Sequence, residues 1–176
     1  MTTPIEREVK LRFESLGAAR AAVRDVGATP LRPRRLQDDR IVDWENGRLS
    51  ESRCVLRVRN EDGAVTLTFK GPPQLAITKV REELETAVGE ADVVLSMLDR
   101  LGLRVRFRYQ KYREEYTRPG IVVAIDETPI GTFVELEGEE RGIEETARAM
   151  GRTSQDYVLE SYRGLFLKDR EARGLP

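Results

Sequence analysis

The stretch "IEREVKLRF", Ile5 to Phe13, decides how the chain is read. Glu6, Glu8, Lys10 and Arg12 occupy alternate positions, and Ile5, Val9, Leu11 and Phe13 fill the places between them, with Arg7 the exception. Successive side chains of a strand point to opposite faces, so this alternation predicts a strand with one apolar and one charged face. Taken alone, the charged face is what a half-buried antiparallel sheet shows to water. The rest of the chain repeats the pattern too often for that reading to suffice.

The same period returns in "RCVLRVRN", "AVTLTFKG", "TKVREELET", "KYREEY", "IVVAIDE" and "GTFVELEG". Their polar faces carry Arg53, Arg57 and Arg59, then Thr66, Thr68 and Lys70, then Lys79, Arg81, Glu83 and Glu85. Later strands add Lys111, Arg113 and Glu115, then Asp126, then Glu135 and Glu137. Glu61-Asp62-Gly63 and Pro119-Gly120 are turn signals between such strands. Helical spacing appears in "ESLGAARAAVRDVGA" and in "GEADVVLSMLDRLGL", whose stripe is Val93, Val94, Met97, Leu98 and Leu101. Two more helices are expected over 143–150 and 154–167, while "TPLRPRRLQ" reads as a loop broken by its prolines. Arg106 and Arg108 fall out of phase with Lys111 and Arg113, which calls for a bulge near Tyr109-Gln110 or a loop before the strand.

About eight strands with hairpin connections and four helices make an α+β fold around an antiparallel sheet. The apolar strand faces need covering, and the amphipathic helices can cover them from outside. The charged faces then turn toward one another, and eight strands suffice to close a barrel. The expected architecture is therefore a closed eight-stranded antiparallel β-barrel, a tunnel lined with charge, with helices packed on the outside. The 176 residues suit one domain over 1–176, with about 168–176 as a frayed tail.

Composition narrows the chemistry. Thirty Lys+Arg against 31 Asp+Glu leave a formal net charge of −1, so no overall basic excess points to nucleic acid or a membrane surface. The charged fraction, 35%, is still high against a typical value of about 25%. A single cysteine, Cys54, excludes an intrachain disulfide framework and fits a reducing cytoplasm. "MTTPIEREVK" has no apolar signal core, and no run approaches the ~20 apolar residues of a membrane span. The absence of histidine excludes Ser-His-Asp and Cys-His nucleophiles and a His-ligated zinc. A metal would have to be held by oxygen, which selects magnesium, manganese or calcium.

A tunnel lined with ions cannot be dry, because a buried unpaired charge costs several kcal/mol even after relaxation. Water, a metal and a strongly charged ligand are its natural contents. Glu6 and Glu8 stand one strand period apart, roughly 7 Å between Cα atoms. Carboxylates so spaced can share one ion at ~2.1 Å or two ions ~4 Å apart. Glu135 and Glu137 repeat the spacing, and Asp126 can join them. Only five of the basic residues are lysines, and Lys10, Lys70, Lys79 and Lys111 all sit on polar strand faces, where a compact ammonium suits phosphate. A polyphosphate carried with Mg2+ or Mn2+ satisfies both sets of charge.

In this pattern the chain resembles the CYTH superfamily, the triphosphate tunnel metalloenzymes, which includes class IV adenylyl cyclases, thiamine triphosphatases and inorganic triphosphatases. Its Glu-x-Glu-x-Lys signature is matched by Glu6, Glu8 and Lys10. Gln37, Asp39 and Asp43 match a further segment, with Ile41 where an aromatic is usual. "LRVR", "LTFKGP", "REELE", "KYREEY", "AIDETPIGTFVELEGEE" and "ESYRGLF", with Ser161 and Tyr162, follow in order, so the match spans Glu6 to about Leu167. The resemblance implies metal ligation by Glu6, Glu8, Asp126, Glu135 and Glu137. It implies a triphosphate cradle of Lys10, Arg57, Arg59, Lys70, Arg81, Lys111 and Arg113, with Glu83 and Glu85 as further tunnel acids. Catalytic roles fall to Glu8, Lys70 and Glu137, with Mg2+ or Mn2+ as cofactor.

Three readings of function follow. The first is metal-dependent hydrolysis of an inorganic or organic triphosphate by in-line attack of water. The second is cyclisation of ATP to cyclic AMP and pyrophosphate, and the third is a polyphosphate-binding module without catalysis. Trp44 and Tyr109 are aromatic residues that could stack on a base, though packing explains either. The expected partner is a small-molecule triphosphate, with no nucleic acid and no membrane, and a homodimer is compatible with the sequence.

Overall fold

The computed structural model describes residues 5–74 and 76–174. Nine strands occur among them: β1 (Ile5–Phe13), β2 (Thr29–Trp44), β3 (Val55–Glu61), β4 (Ala64–Lys70), β5 (Lys79–Val88), β6 (Leu103–Arg118), β7 (Ile121–Thr128), β8 (Gly131–Gly138) and β9 (Tyr157–Val158). Five helices accompany them: α1 (Leu16–Asp25), α2 (Arg48–Glu51), α3 (Ala91–Arg100), α4 (Glu140–Ala149) and α5 (Tyr162–Ala172). The strand order is β5-β4-β3-β2-β6-β7-β8-β1-β9, and β5 also pairs with β1. The hydrogen-bonded ladder of β1 to β8 therefore closes on itself, the connectivity of the expected antiparallel barrel. The expected α+β class holds.

The chain forms two compact units, Met1–Glu6 with Arg35–Gln110, and Arg7–Arg34 with Lys111–Pro176. In the second unit the apolar faces of β1, β7 and β8 supply Val9, Leu11, Val123, Ile125, Val134 and Leu136 to one core. Helix α1 packs on β7 and β8 and contributes Ala19 and Val23; α4 packs on β8 and contributes Ile143 and Ala147. Ser15 starts α1 as its N-cap, its hydroxyl accepting from the Ala18 amide at 3.1 Å, and Ser161 does the same for α5. In the first unit β3 and β4 are joined by Asp62-Gly63, both at positive φ, the conformation a two-residue hairpin of this twist requires. Helix α3 packs on β3. No helix among the described residues is long and apolar enough to cross a membrane.

Five expectations need correction. "TPLRPRRLQ" is strand, not loop. Pro30 and Pro33 lie in the exposed first part of β2, before its ladder with β3 begins at Gln37, where a missing N–H is tolerated. Strand β6 needs no bulge: burial alternates through Phe107, Tyr109, Lys111 and Arg113, and Arg106 and Arg108 simply occupy the exposed face. Arg53 lies in a turn at φ 57°, not on a strand face. The stretch 154–167 is not one helix but a 3-10 turn at Ser154–Asp156, strand β9, and then α5, which continues to Ala172. The stripe expected on α3 also splits: Val94, Leu95 and Leu98 are half-buried, while Val93, Met97 and Leu101 are exposed.

Candidate active site

In the second unit, β1 and β8 place their charged residues opposite one another. Glu8 faces Glu137, and Lys10 faces Glu135. Lys10 is 2% exposed and its Nζ donates to Glu8 at 2.9 Å, with Glu135 at 3.4 Å. Burial by itself would push this ammonium's pKa down; the charges of Glu8 and Glu135 outweigh it and hold the pKa above its ordinary value. Arg113 lies opposite Asp126 in the β6–β7 ladder, donates to both Asp126 oxygens at 2.7 and 2.6 Å, and reaches Glu135 at 2.8 Å. Lys111 donates to Asp126 at 2.8 Å, and the hydroxyl of Tyr162, brought in by the start of α5, donates to the same carboxylate. Burial would raise the Asp126 pKa, but Arg113 and Lys111 together hold it far below the usual carboxylate range. Tyr162 is pushed well up, first by burial and then by the charges of Asp126 and Glu135, so it stays a neutral donor. Its ring lies under two cations, Lys111 at 4.4 Å and Lys10 at 5.2 Å.

In the first unit, Lys70 donates to both oxygens of Glu6 at 2.7 and 2.8 Å and stands 2.7 Å from Glu83. Burial would raise the Glu83 pKa; Lys70 overrides it, and the pKa is lowered. Arg57 donates to Thr68 at 3.1 Å, and Thr68 in turn donates to Glu85 at 2.7 Å. Two buried guanidinium N–H groups here, Nε of Arg57 and Nε of Arg81, have no hydrogen-bond acceptor. Arg59 is engaged by Asp39 through a bidentate pair at 2.6 and 2.8 Å. Asp39 also bonds Tyr109, whose pKa is pushed well up by burial and by that charge.

The sequence named most of these groups correctly as strand-face residues, and the structure gives each a partner or a place. Glu6, Lys70, Arg57, Arg59, Arg81, Glu83 and Glu85 belong to the first unit; Glu8, Lys10, Lys111, Arg113, Asp126, Glu135 and Glu137 belong to the second. Glu137 is exposed, whereas Glu8 and Glu135 are buried. Asp43, matched to the motif on β2, is a local scaffold: it accepts from the Trp44, Leu49 and Ser50 amides and the Ser50 hydroxyl, tying α2 to the strand. Sequence reasoning missed Arg35 and Glu61, which pair at 2.8 Å. Arg35 lies in the proline-broken stretch whose local signals read as loop, so sequence alone gives it no face. Lys79, expected on a polar strand face, is buried at the start of β5.

The donor set fits a hard divalent cation in kind, since it contains carboxylates alone. Glu8 and Glu137 are like charges directly opposite on neighbouring strands, an arrangement that is destabilising unless a cation relieves it. Burial and then the charge of Glu8 press the pKa of Glu135 upward, but Arg113 and Lys10 outweigh them and hold it low. Among the described residues no three carboxylates form a ligand group as they sit, because lysine and arginine occupy their oxygens. Asp126 is the most fully engaged, and ligating a metal would mean giving up Lys111, Arg113 or Tyr162.

Comparison with known proteins follows the same lines. The model of the CYTH domain matches residues 4–162. The chain is similar to "Putative adenylate cyclase MJ0240" of Methanocaldococcus jannaschii, 28% identical over 134 residues, 76% of each protein. A solved "putative adenylate cyclase" of Vibrio parahaemolyticus superposes with a TM-score of 0.81 at 19% identity, over 94% of this chain and 99% of that one. A "putative adenylyl cyclase" of Hippeastrum, described as revealing a dominant triphosphatase activity, superposes at 0.58 with 20% identity, over 97% and 89%. At these identities the two structures speak to the fold.

Proposed function

The chain belongs to the CYTH domain family, and from that premise we propose that it hydrolyses a triphosphate with the help of a divalent metal ion, Mg2+ or Mn2+. Membership makes it an enzyme of one of two kinds, a triphosphatase or an adenylyl cyclase. The observation that carries a triphosphate substrate is that two buried N–H groups, Nε of Arg57 and Nε of Arg81, have no hydrogen-bond acceptor. A buried donor without an acceptor is costly, and an anionic phosphate oxygen is the acceptor best matched to a guanidinium. Hydrolysis is placed ahead of cyclisation by analogy with the activity described for the Hippeastrum relative. The adenylate cyclase name of the Methanocaldococcus relative keeps cyclisation as the second reading.

In the proposed mechanism Arg57, Arg81 and Lys70 of the first unit bind and orient phosphate oxygens, and Lys10, Lys111 and Arg113 are the cations that the second unit offers for the same task. Glu8, Glu135 and Glu137 of the second unit would hold the metal, which when bound would neutralise charge on the phosphoryl oxygens. Glu8 and Glu137 orient the attacking water, and Lys70 supplies a point charge to the leaving phosphate. Asp126 keeps Lys111 and Arg113 charged and fixed, so their positive charge is set before substrate arrives. The test is to incubate the chain with Mg2+ or Mn2+ and either tripolyphosphate or ATP and to identify products. Orthophosphate release is expected, and EDTA should abolish it. Cyclic AMP with pyrophosphate would select the second reading, and full turnover in excess EDTA would remove the metal from the mechanism.

A further inference from the structure

We propose that the side-chain carbonyl of Gln37 selects a hydrogen-bond donor, an amino group, on the non-phosphate end of an organic triphosphate. This rests on the triphosphate reading above and adds to it which end of the substrate is read, and by what. Gln37 lies on β2 and is 2% exposed. Its Nε2 donates to Glu61, and its Oε1 has no hydrogen-bond partner. The amide cannot be turned around to cure this, because its oxygen would then face the Glu61 carboxylate. Glu61 is itself held by Arg35, whose Nε stands 2.8 Å from the other carboxylate oxygen. The Arg35-Glu61-Gln37 chain thus fixes an unsatisfied acceptor in a buried position.

Its polarity separates it from the phosphate-binding groups. Nε of Arg57 and Nε of Arg81 lack an acceptor; Oε1 of Gln37 lacks a donor. A phosphate oxygen is mostly deprotonated at neutral pH and serves it poorly, whereas an N–H group is a permanent donor. The order along the strands suits a substrate that changes character along its length. On β3, Arg57 and Glu61 are four residues apart, roughly 13 Å in a strand. Between their levels lies Arg59, already neutralised by Asp39, with Tyr109 bonded to the same carboxylate. Cationic donors, then a neutralised pair beside an aromatic ring, then a buried acceptor match a phosphate chain followed by an amino-bearing organic group.

The test uses the full chain with Mg2+ and titration calorimetry against tripolyphosphate, ATP and inosine triphosphate, whose base has a carbonyl where adenine has its amino group. Wild type should bind ATP about fivefold or more tightly than inosine triphosphate, the worth of one hydrogen bond to a buried partner. Gln37→Met, similar in size but without the acceptor, should weaken ATP by about the same factor and leave tripolyphosphate within about twofold. Equal losses for ATP and tripolyphosphate would make Gln37 purely structural, and no loss for either would leave its carbonyl merely hydrated; each overturns the proposal. Should Gln37→Met fail to fold, the wild-type comparison decides: inosine triphosphate binding as well as ATP, or better, overturns it. No binding of tripolyphosphate at all would instead bring down the triphosphate reading, and this inference with it.

Discussion

At the scale of single residues, Asp126 is fully buried and satisfied three times over, by Lys111, Arg113 and Tyr162. Its folded pKa is lowered from an unfolded value near 3.9, so its contribution to stability is complete above about pH 5. That contribution is lost as pH falls through this range toward the depressed folded pKa. Asp126→Asn removes one partner from a buried ionic cluster and should cost about 3–5 kcal/mol at neutral pH. Urea unfolding at a series of pH values should also show a shallower loss between about pH 5 and 2 than in wild type, because the titrating group is gone. An equal slope in both proteins would mean that other carboxylates carry the acid sensitivity. The position of Asp126 on a polar strand face was readable from alternation in "IVVAIDE". Its saturation was not, since nothing in the sequence says that Lys111 and Arg113 would converge on it rather than face water.

At the scale of elements, the β1–β8 ladder sets Lys10 opposite Glu135 but Glu8 opposite Glu137. The first pairing is attractive and the second repulsive, so the ladder stores a local charge conflict where a dication would be welcome. Glu137→Gln removes the repulsion without touching the Lys10 contacts. Its Tm in EDTA should equal or exceed that of wild type, while the rise in Tm on adding Mg2+ or Mn2+ should shrink and turnover should be lost. A large drop in Tm without metal would assign Glu137 a structural role instead. Strand β1 was legible because its period of two is nearly unbroken. Strand β2 was not, because Pro30 and Pro33 signal a loop locally, and only the absence of a β3 neighbour at that end makes them harmless. The C-terminal stretch failed for a related reason: the pairing of Lys10 and Leu11 with Val158 and Tyr157 is long-range, and it interrupts a segment whose local spacing reads as helix.

At the scale of the whole molecule, 30 basic and 31 acidic residues nearly cancel, yet the cancellation is uneven at the atomic level. Asp126 has more donors than it has oxygens, while Arg57 and Arg81 each keep a buried N–H without an acceptor. A neutral total therefore conceals local demand for an anion, which is why net charge alone said nothing about a phosphate ligand. A ligand that binds only the folded state stabilises it by about 2.7 kcal/mol at a hundredfold excess over Kd. With Mg2+ present, tripolyphosphate should raise the Tm by several degrees, more than pyrophosphate and far more than orthophosphate at equal concentration. Because Arg57 and Arg81 are largely buried, added salt should weaken the shift less than it would for an exposed basic patch. Arg57→Ala should lose most of the shift, since it deletes one of the buried donors that lack an acceptor. Arg106→Ala, on the exposed face of β6, should retain it, which separates a specific cradle from general attraction. If both variants lose the shift equally, the response is nonspecific charge screening. If wild type shows none, the orphaned donors are served by water and the substrate is not a triphosphate.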